Sequence, residues 1–325
     1  MRAAVTGASG FIGSHLCSQL LSEGVDVQTV VRGEAGRLLS GLPVHVTVAP
    51  LSDTEALKQA FVGCDWVFHI AGQFSVSPRR RTDLMTANVD GTRNVLLAAR
   101  SAGVRRLVFT SSTSTLGIPP SGAVGDELTQ YNWQDYALPY TNSKFEAEQE
   151  VLRAAASGQD VVIVHPGTVI GPGDIHFNGG RWIREMARGR IPGVTDGGMN
   201  FVGVDDVVSG HFLAAQRGRP GQRYVLGGEN LSYRQLFDML ADITGRPVPT
   251  KAVPTAAFKA FAAWHAAVYT LRGSEPNYTP QSVRLAYLHL YYSSAKAQAE
   301  LGYSPTPVRK AFEDAYAWYK EHAML

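Results

Sequence analysis

The chain opens on Ala3-Ala4-Val5, a short apolar run, followed by glycines at Gly7, Gly10 and Gly13 and by apolar residues at Ile12, Leu16, Leu20 and Leu21. The first run reads as a buried parallel strand, and the spacing of the last predicts a helix. No other stretch limits the fold as strongly, because strand, glycine turn and helix in that order build the first unit of a parallel sheet. Gly7 allows the tight turn, Gly10 lets a pyrophosphate approach the backbone, and Gly13 lets helix and strand pack closely. The helix N-terminus then presents free N–H groups and a partial positive charge to the phosphates. Phe11 and Ile12, set between Gly10 and Gly13, belong to the same expected contact set. The competing reading is an ordinary strand–turn–helix whose glycines serve only the turn.

Strands and helices alternate as far as about residue 170, with apolar strands at VRRLVFT (104–110) and DVVIVHP (160–166). Alternation of this kind implies βαβ units and a parallel sheet. Beyond it, proline and glycine cluster in IGPGDIHFNGG (170–180) and GRIPGVTDGG (189–198), which are loop signals suited to a smaller lobe closing over a substrate. The fold class is α/β: a Rossmann-type doubly wound parallel sheet with a smaller C-terminal lobe. A dinucleotide-binding domain is expected over 1–168 and a mainly substrate-binding lobe over 169–325. At 325 residues and 45% apolar composition the chain can bury a core of that size.

The second strand, VDVQTVVR (25–32), ends on Arg32. Sites that prefer NAD place a carboxylate near this point, where it accepts from the adenosine ribose hydroxyls. A carboxylate repels a 2′-phosphate, whereas a guanidinium pairs with it in a fork. Arg32 therefore favours NADP(H), with NAD(H) still possible. A solvated surface arginine is the bland alternative.

A second constellation lies further along. Leu107 to Phe109 form a buried strand that runs into a row of hydroxyls from Thr110 to Thr115, at the sheet edge where open parallel sheets bind ligands. Composition does not choose among those hydroxyls, and any one of them could simply cap a turn. Tyr140 and Lys144 follow in YTNSK, four residues apart on one face of a predicted helix. That spacing also arises by chance on many helices. The chemistry gives the combination meaning. A phenol titrates near pH 10, and lowering it by roughly three units requires about 4 kcal/mol of preferential phenolate stabilisation. A nearby ammonium and an oxidised nicotinamide can supply this in a site partly closed to water. Tyr140 could then give a proton to a carbonyl oxygen as hydride arrives at carbon, or take it back.

With these motifs in place the chain resembles an extended short-chain dehydrogenase/reductase of the NAD-dependent epimerase/dehydratase type, nearest its dihydroflavonol reductase-like and hopanoid-associated sugar epimerase-like branch. NVDGTRNVLLAARSAGVRRLVFTSS (88–112), GRPGQRYVLGGENLSYRQL (218–236) and YYSSAKAQAELGYSP (291–305) carry the similarity nearly end to end. The resemblance implies that Ser112 is the catalytic serine beside Tyr140 and Lys144, and that Asn88 supports the lysine and an active-site water. It implies that HPGTVIGPGD (165–174) brings backbone to the nicotinamide carboxamide, so His165, Pro166, Gly167 and Thr168 join the expected cofactor contacts, with Leu51, Ala71 and Gly72. Gln73, Thr113, Phe177 and Arg181 are the expected substrate contacts, in the loops that set specificity. Some C-terminal strands are expected to return to the main sheet, near 199–227, which makes the second lobe discontinuous. Members often dimerise through the helices carrying the asparagine and the Tyr–Lys pair, here 86–102 and 139–156, so a homodimer is expected, with Leu96, Leu97, Val151 and Leu152 supplying apolar surface. Departures include Pro50, which cannot imitate the acidic acceptor usual near the adenine, Gly72 in place of an alanine, and His165 in place of an asparagine.

A net charge of +2 carries no nucleic-acid signature, and the two cysteines, Cys17 and Cys64, form no disulfide framework. No histidine or cysteine spacing suggests a metal. The N-terminus is already the first strand, so no signal peptide is expected and a cytoplasmic enzyme is. VPTAAFKAFAAWHAAVYTL (253–271) is apolar but interrupted by Lys259 and His265, and is short for a membrane span. It reads as an amphipathic helix over the substrate pocket, with membrane association the lesser reading.

Three functions compete. One is an NADP-dependent reductase of a small-molecule ketone or aldehyde, bulky and aromatic or lipid-like. The second is a nucleotide-sugar epimerase or dehydratase with tightly bound NAD. The third is a non-catalytic nucleotide sensor, against which the retained Tyr140 and Lys144 argue.

Overall fold

A computed structural model of the chain describes residues 1–33, 36–75, 77–136, 138–271 and 280–325. The elements run β1 (Arg2–Thr6), α1 (Phe11–Ser22), β2 (Asp26–Val31), β3 (His45–Val48), α2 (Thr54–Phe61) and β4 (Trp66–His69). Then come α3 (Arg81–Leu84), α4 (Gly91–Ser101), β5 (Arg106–Thr110), α5 (Pro139–Ala156) and β6 (Val161–Pro166). Seven strands form one parallel sheet in the order β3-β2-β1-β4-β5-β6-β9, the last being Arg223–Leu226. The inner strands are buried on both faces and need apolar residues at consecutive positions, which is why β6 reads as an apolar run and is buried throughout, whereas the edge strand β3 is largely exposed.

One face of the sheet packs against α1 and α7 (Val204–Arg217), through Leu16, Leu20, Val208 and Phe212. The other packs against α2, α4 and α5, through Leu57, Val95, Ala147 and Val151. The strand order reverses at β1 and β4, which lie side by side, with Thr6 beside both Val30 and His69. Such a reversal opens a crevice beyond the carboxyl ends of the strands.

The second lobe has its own sheet. In it β8 (Gly198–Gly203) pairs in parallel with β7 (Thr168–Ile170) and β11 (His289–Leu290), and antiparallel with β10 (Glu229–Ser232). Its core joins Phe201 to Tyr233, Leu236 and Phe237 of α8 (Tyr233–Thr244) and to Phe312 and Tyr319 of α12 (Val308–Glu321). Ser232 and Gln235 close a capping box at the start of α8. The stretch expected to return to the main sheet near 199–227 divides: α7 and β9 join the larger unit, whereas β8 stays in the smaller one. Helices α6 (Arg181–Ala187), α10 (Pro280–Leu285) and α11 (Ala295–Leu301) are short, helix α9 (Thr255–Leu271) occupies most of the apolar segment, and among the described residues no helix is long and apolar enough to cross a membrane.

Candidate active site

A cavity of about 950 Å³ opens along the carboxyl ends of the strands and continues between the two lobes. Its floor at one end is the glycine turn. Gly7 has φ +73°, and a Cβ there would stand 2.7 Å from the Ala71 backbone. A Cβ on Gly13 would stand 2.2 Å from the Gly7 carbonyl oxygen. Only glycine permits these approaches. Helix α1 begins immediately after Gly10, with no side-chain cap and no acidic residue in its first turn. Its positive end is thus uncompensated where Gly7, Gly10, Phe11, Ile12 and Gly13 line the cavity. Arg32 is exposed and lines the same end. Leu51, Ala71 and Gly72 continue the wall, and the Leu51 carbonyl accepts from Asn94 Nδ2 at 2.8 Å. A cradle of backbone amides with a cation at its rim fits a dinucleotide.

The expected catalytic side chains converge in the middle of the cavity. Pro139 at the first position of α5 sets its start, and Tyr140 and Lys144 follow one turn apart on the lining face. Ser112 begins the turn after β5, and its Oγ accepts from Ser114 N at 3.1 Å. Burial pushes the Tyr140 phenol up to about 12, and the hydrogen bond with Ser112 offsets only part of this. Burial pulls Lys144 down to about 8, opposed by the charge of Glu148. The lysine Nζ donates to the Thr110 carbonyl at 2.7 Å and lies 4.5 Å from the centre of the Phe109 ring. The phenol was expected to be lowered. In the protein alone desolvation wins, and Tyr140 remains a protonated donor throughout the neutral range.

Asn88 sits in a π-helical turn, Met85–Asp90, that leads into α4. Such bulges frequently mark functional sites. Its amide clamps Gln73 from both sides: Gln73 N donates to Oδ1 at 2.7 Å, and Nδ2 donates to Gln73 O at 3.0 Å and to Ser143 Oγ at 2.9 Å. Among the described residues Asn88 makes no direct hydrogen bond to Lys144, whose Nζ is held by Thr110. A Cβ at Gly72 would stand 3.3 Å from Asn88 Oδ1, a tight contact with the clamp.

Residues 3–227 match the NAD dependent epimerase/dehydratase family. The chain belongs to this family. A Synechocystis sp. protein carrying a provisional dihydroflavonol 4-reductase name is 38% identical over 99% of this chain and 95% of its own length. Sterol demethylase protein B of Methylococcus capsulatus is 34% identical over 100% of both chains. Among solved structures, gox2253 superposes with a TM-score of 0.88 at 36% identity, covering 99% of each chain. The chain is therefore an NAD(P)-dependent enzyme of the extended short-chain dehydrogenase/reductase type, acting on a small molecule.

In this family member the far half of the cavity is built by the second lobe and the loop before α5. Trp133, Leu138, Ile175, Trp182, Phe237 and Phe258 line it. Of the expected substrate contacts, Gln73, Thr113 and Arg181 reach the cavity, as do Pro166, Gly167 and Thr168. Phe177 does not line it. With φ +53° its ring turns away and stacks on Tyr319, centroids 4.7 Å apart, with the Arg184 guanidinium 4.3 Å above it. The His165 side chain also lies outside the lining: it is wholly buried and reaches Glu148 at 2.9 Å. Trp133 and Trp182 had no signal in sequence, because aromatic residues on loops and short helices are more often core. Among the described residues no cluster of three or more His, Cys, Asp or Glu side chains could hold a metal ion.

Proposed function

We propose that this enzyme is an NADPH-dependent reductase of a bulky, largely apolar ketone or aldehyde. The observation that carries this reading is the wall of Trp133, Leu138, Ile175, Trp182, Phe237 and Phe258 next to Tyr140. Such a wall repays burial of an aromatic or polycyclic substrate at about 25 cal/mol per Å². The dihydroflavonol reductase and sterol demethylase names of two relatives support a substrate of that kind.

Nicotinamide, when bound, supplies hydride. The chain's own residues do the rest. Ser112 and Tyr140 hold the substrate oxygen between two hydroxyls, and Tyr140, protonated at neutral pH, delivers a proton to that oxygen. The Lys144 ammonium, held by Thr110, stabilises the phenolate left behind. Gly7, Gly10 and the α1 N-terminus hold the pyrophosphate, and Arg32 selects the 2′-phosphate of NADPH. Arg181 and Arg190, which also line the far half, favour the second reading, a nucleotide-sugar epimerase, because guanidinium groups bind diphosphates.

The two readings differ in the fate of the cofactor. A reductase consumes NADPH, so absorbance falls steadily when a suitable carbonyl is added. An epimerase returns the hydride to its substrate and leaves the bulk cofactor unchanged. A panel of aromatic and polycyclic carbonyls under NADPH is run beside a nucleotide-sugar panel read by chromatography. Sugar interconversion without added cofactor, with no NADPH loss on any carbonyl, would replace the reductase reading by the epimerase one.

Assembly as a homodimer through α4 and α5 is part of the same proposal. Leu96 and Val151 are spent on the intramolecular core, but Leu97 is 56% exposed. It lines a shallow depression with Arg93, Arg100, Glu150 and Arg153, a rim of both charges suited to a self-complementary twofold contact.

A further inference from the structure

Glu148 stands one turn beyond Lys144 on α5, in a sequence, EAEQE, that reads as solvated helix surface, yet it is 1% exposed. Its Oε2 accepts from Ser111 Oγ and Thr115 Oγ1, both at 2.6 Å, and from His165 Nε2 at 2.9 Å. Arg223 on β9 approaches Oε1 at 3.6 Å. Three active-site segments therefore meet on one carboxylate. Ser111 and Thr115 flank Ser112, and Thr115 Oγ1 lies 2.9 Å from the Ser112 carbonyl oxygen. His165 precedes Pro166, Gly167 and Thr168 of the cavity wall. Glu148 itself shares its helix face with Tyr140 and Lys144. Burying a carboxylate costs several kcal/mol before its partners are counted, so its presence here depends on the groups gathered around it. His165 is wholly buried, its Nδ1 has no hydrogen-bond partner among the described residues, and the bond to Glu148 fixes its Nε2 side.

We propose that Glu148, braced by His165, is the positioning residue of the site: it locks the Ser112 turn and the end of β6 to the helix bearing Tyr140 and Lys144, and its charge is the counter-ion that keeps Lys144 an ammonium. The inference rests on the assignment of Ser112, Tyr140 and Lys144 as the working set, which both candidate reactions share. Burial works to raise the Glu148 carboxyl, but His165 and the two hydroxyls outweigh it and hold it near 2, so the charge persists throughout the working range. The ionisable groups around this unit are Tyr140 on α5, His69 on β4, His165 on β6 and Arg223 on β9. Of these, His69 is kept uncharged by burial and by the Lys144 charge, so Glu148 is the anion beside Lys144.

The test is a lysine ¹³Cε NMR titration of the full chain, with the Lys144 resonance assigned by its loss in Lys144→Arg. In the wild type the midpoint is expected near 8. In Glu148→Gln, which keeps the shape and discards the charge, it should fall by about one unit or more, as expected for loss of a counter-ion one helical turn away. Should Glu148→Gln not fold, Glu148→Met, apolar and of similar volume, takes its place. In Glu148→Asp, which keeps the charge on a shorter arm, the midpoint should hold while kcat falls at least about tenfold and cofactor Kd changes less than about threefold. An unmoved midpoint in a folded Glu148→Gln or Glu148→Met protein overturns the counter-ion role. Wild-type kcat in Glu148→Asp overturns the positioning role. The titration needs no turnover, so its result stands apart from whether carbonyls or sugars prove to be the substrates.

Discussion

Lowering the pH from 7 to 5 should remove about 4 kcal/mol of folding stability, through two buried imidazoles that the fold keeps neutral. His69 ends β4 beneath the glycine turn. Its Nε2 faces Thr92 Oγ1 at 3.0 Å, and that hydroxyl already donates to the Asn88 carbonyl at 2.6 Å. Thr92 must therefore accept, Nε2 carries the proton, and Nδ1 accepts from Thr6 Oγ1 at 2.8 Å. His211 on α7 is the mirror case: Nδ1 donates to the Val207 carbonyl at 2.8 Å and Nε2 accepts from Thr110 Oγ1 at 2.8 Å. Burial lowers His69 to about 3, with the Lys144 charge adding to the effect, and lowers His211 to about 4. Both native values lie below the unfolded 6.5, so below pH 6.5 the unfolded chain binds more protons and stability falls with pH until the native groups titrate near 4 and 3. At pH 5 each contributes a loss of about 2 kcal/mol. Against a typical total of about 5–15 kcal/mol this is a loss of roughly a quarter to four-fifths of the stability. Urea denaturation followed by circular dichroism at pH 7, 6 and 5 measures this, with a His69→Gln/His211→Gln variant as reference. The wild type should lose about two protons' worth of slope more than the variant. Equal slopes, or imidazole resonances of His69 and His211 titrating near 6.5, would refute the reasoning.

Other outcomes follow from the cleft. Arg32→Asp should abolish or reverse a preference for NADPH over NADH in calorimetric titration; equal binding of the two by the wild type, unmoved by the substitution, would remove Arg32 from the argument. Tyr140→Phe should cut turnover by about two to four orders of magnitude with cofactor binding largely intact, whereas Lys144→Ala should damage both, and a Tyr140→Phe enzyme retaining most of its activity would end the proton-donor assignment. Gly13→Ala puts a methyl 2.2 Å from the Gly7 carbonyl, so it should either unfold the first βα unit or open the turn and weaken dinucleotide affinity at least about tenfold; unchanged melting temperature and affinity would contradict the packing described. Light scattering at micromolar concentration should give a dimer mass that Leu97→Glu converts to a monomer, and a monomeric wild type would remove the α4–α5 contact.

The first βα unit and the Tyr140–Lys144 pair could be read from the chain because both are local. Gly7, Gly10 and Gly13 act on neighbours within a few residues, and a four-residue spacing places two side chains on one helix face whatever surrounds it. The parallel sheet was legible for a related reason, since strands buried on both faces must be apolar at consecutive positions. The folded molecule decided what depends on partners distant in sequence. Glu148 looks like a surface residue until β5, β6 and β9 bring Ser111, Thr115, His165 and Arg223 around it. Phe177 sits in a loop aimed at the substrate lobe, but its backbone enters the left-handed region and commits the ring to Tyr319, 142 positions on in the numbering. Asn88 is turned to Gln73 by a π-helical bulge that no residue pattern announces. The Tyr140 phenol is a similar case: a lowered value was expected from Lys144 and an oxidised nicotinamide together, whereas in the protein alone the lysine reaches Thr110 and burial dominates. Periodicity and glycine geometry are properties of a few adjacent residues, whereas burial, and the pKa values and hydrogen-bond partners it controls, belongs to the packed whole.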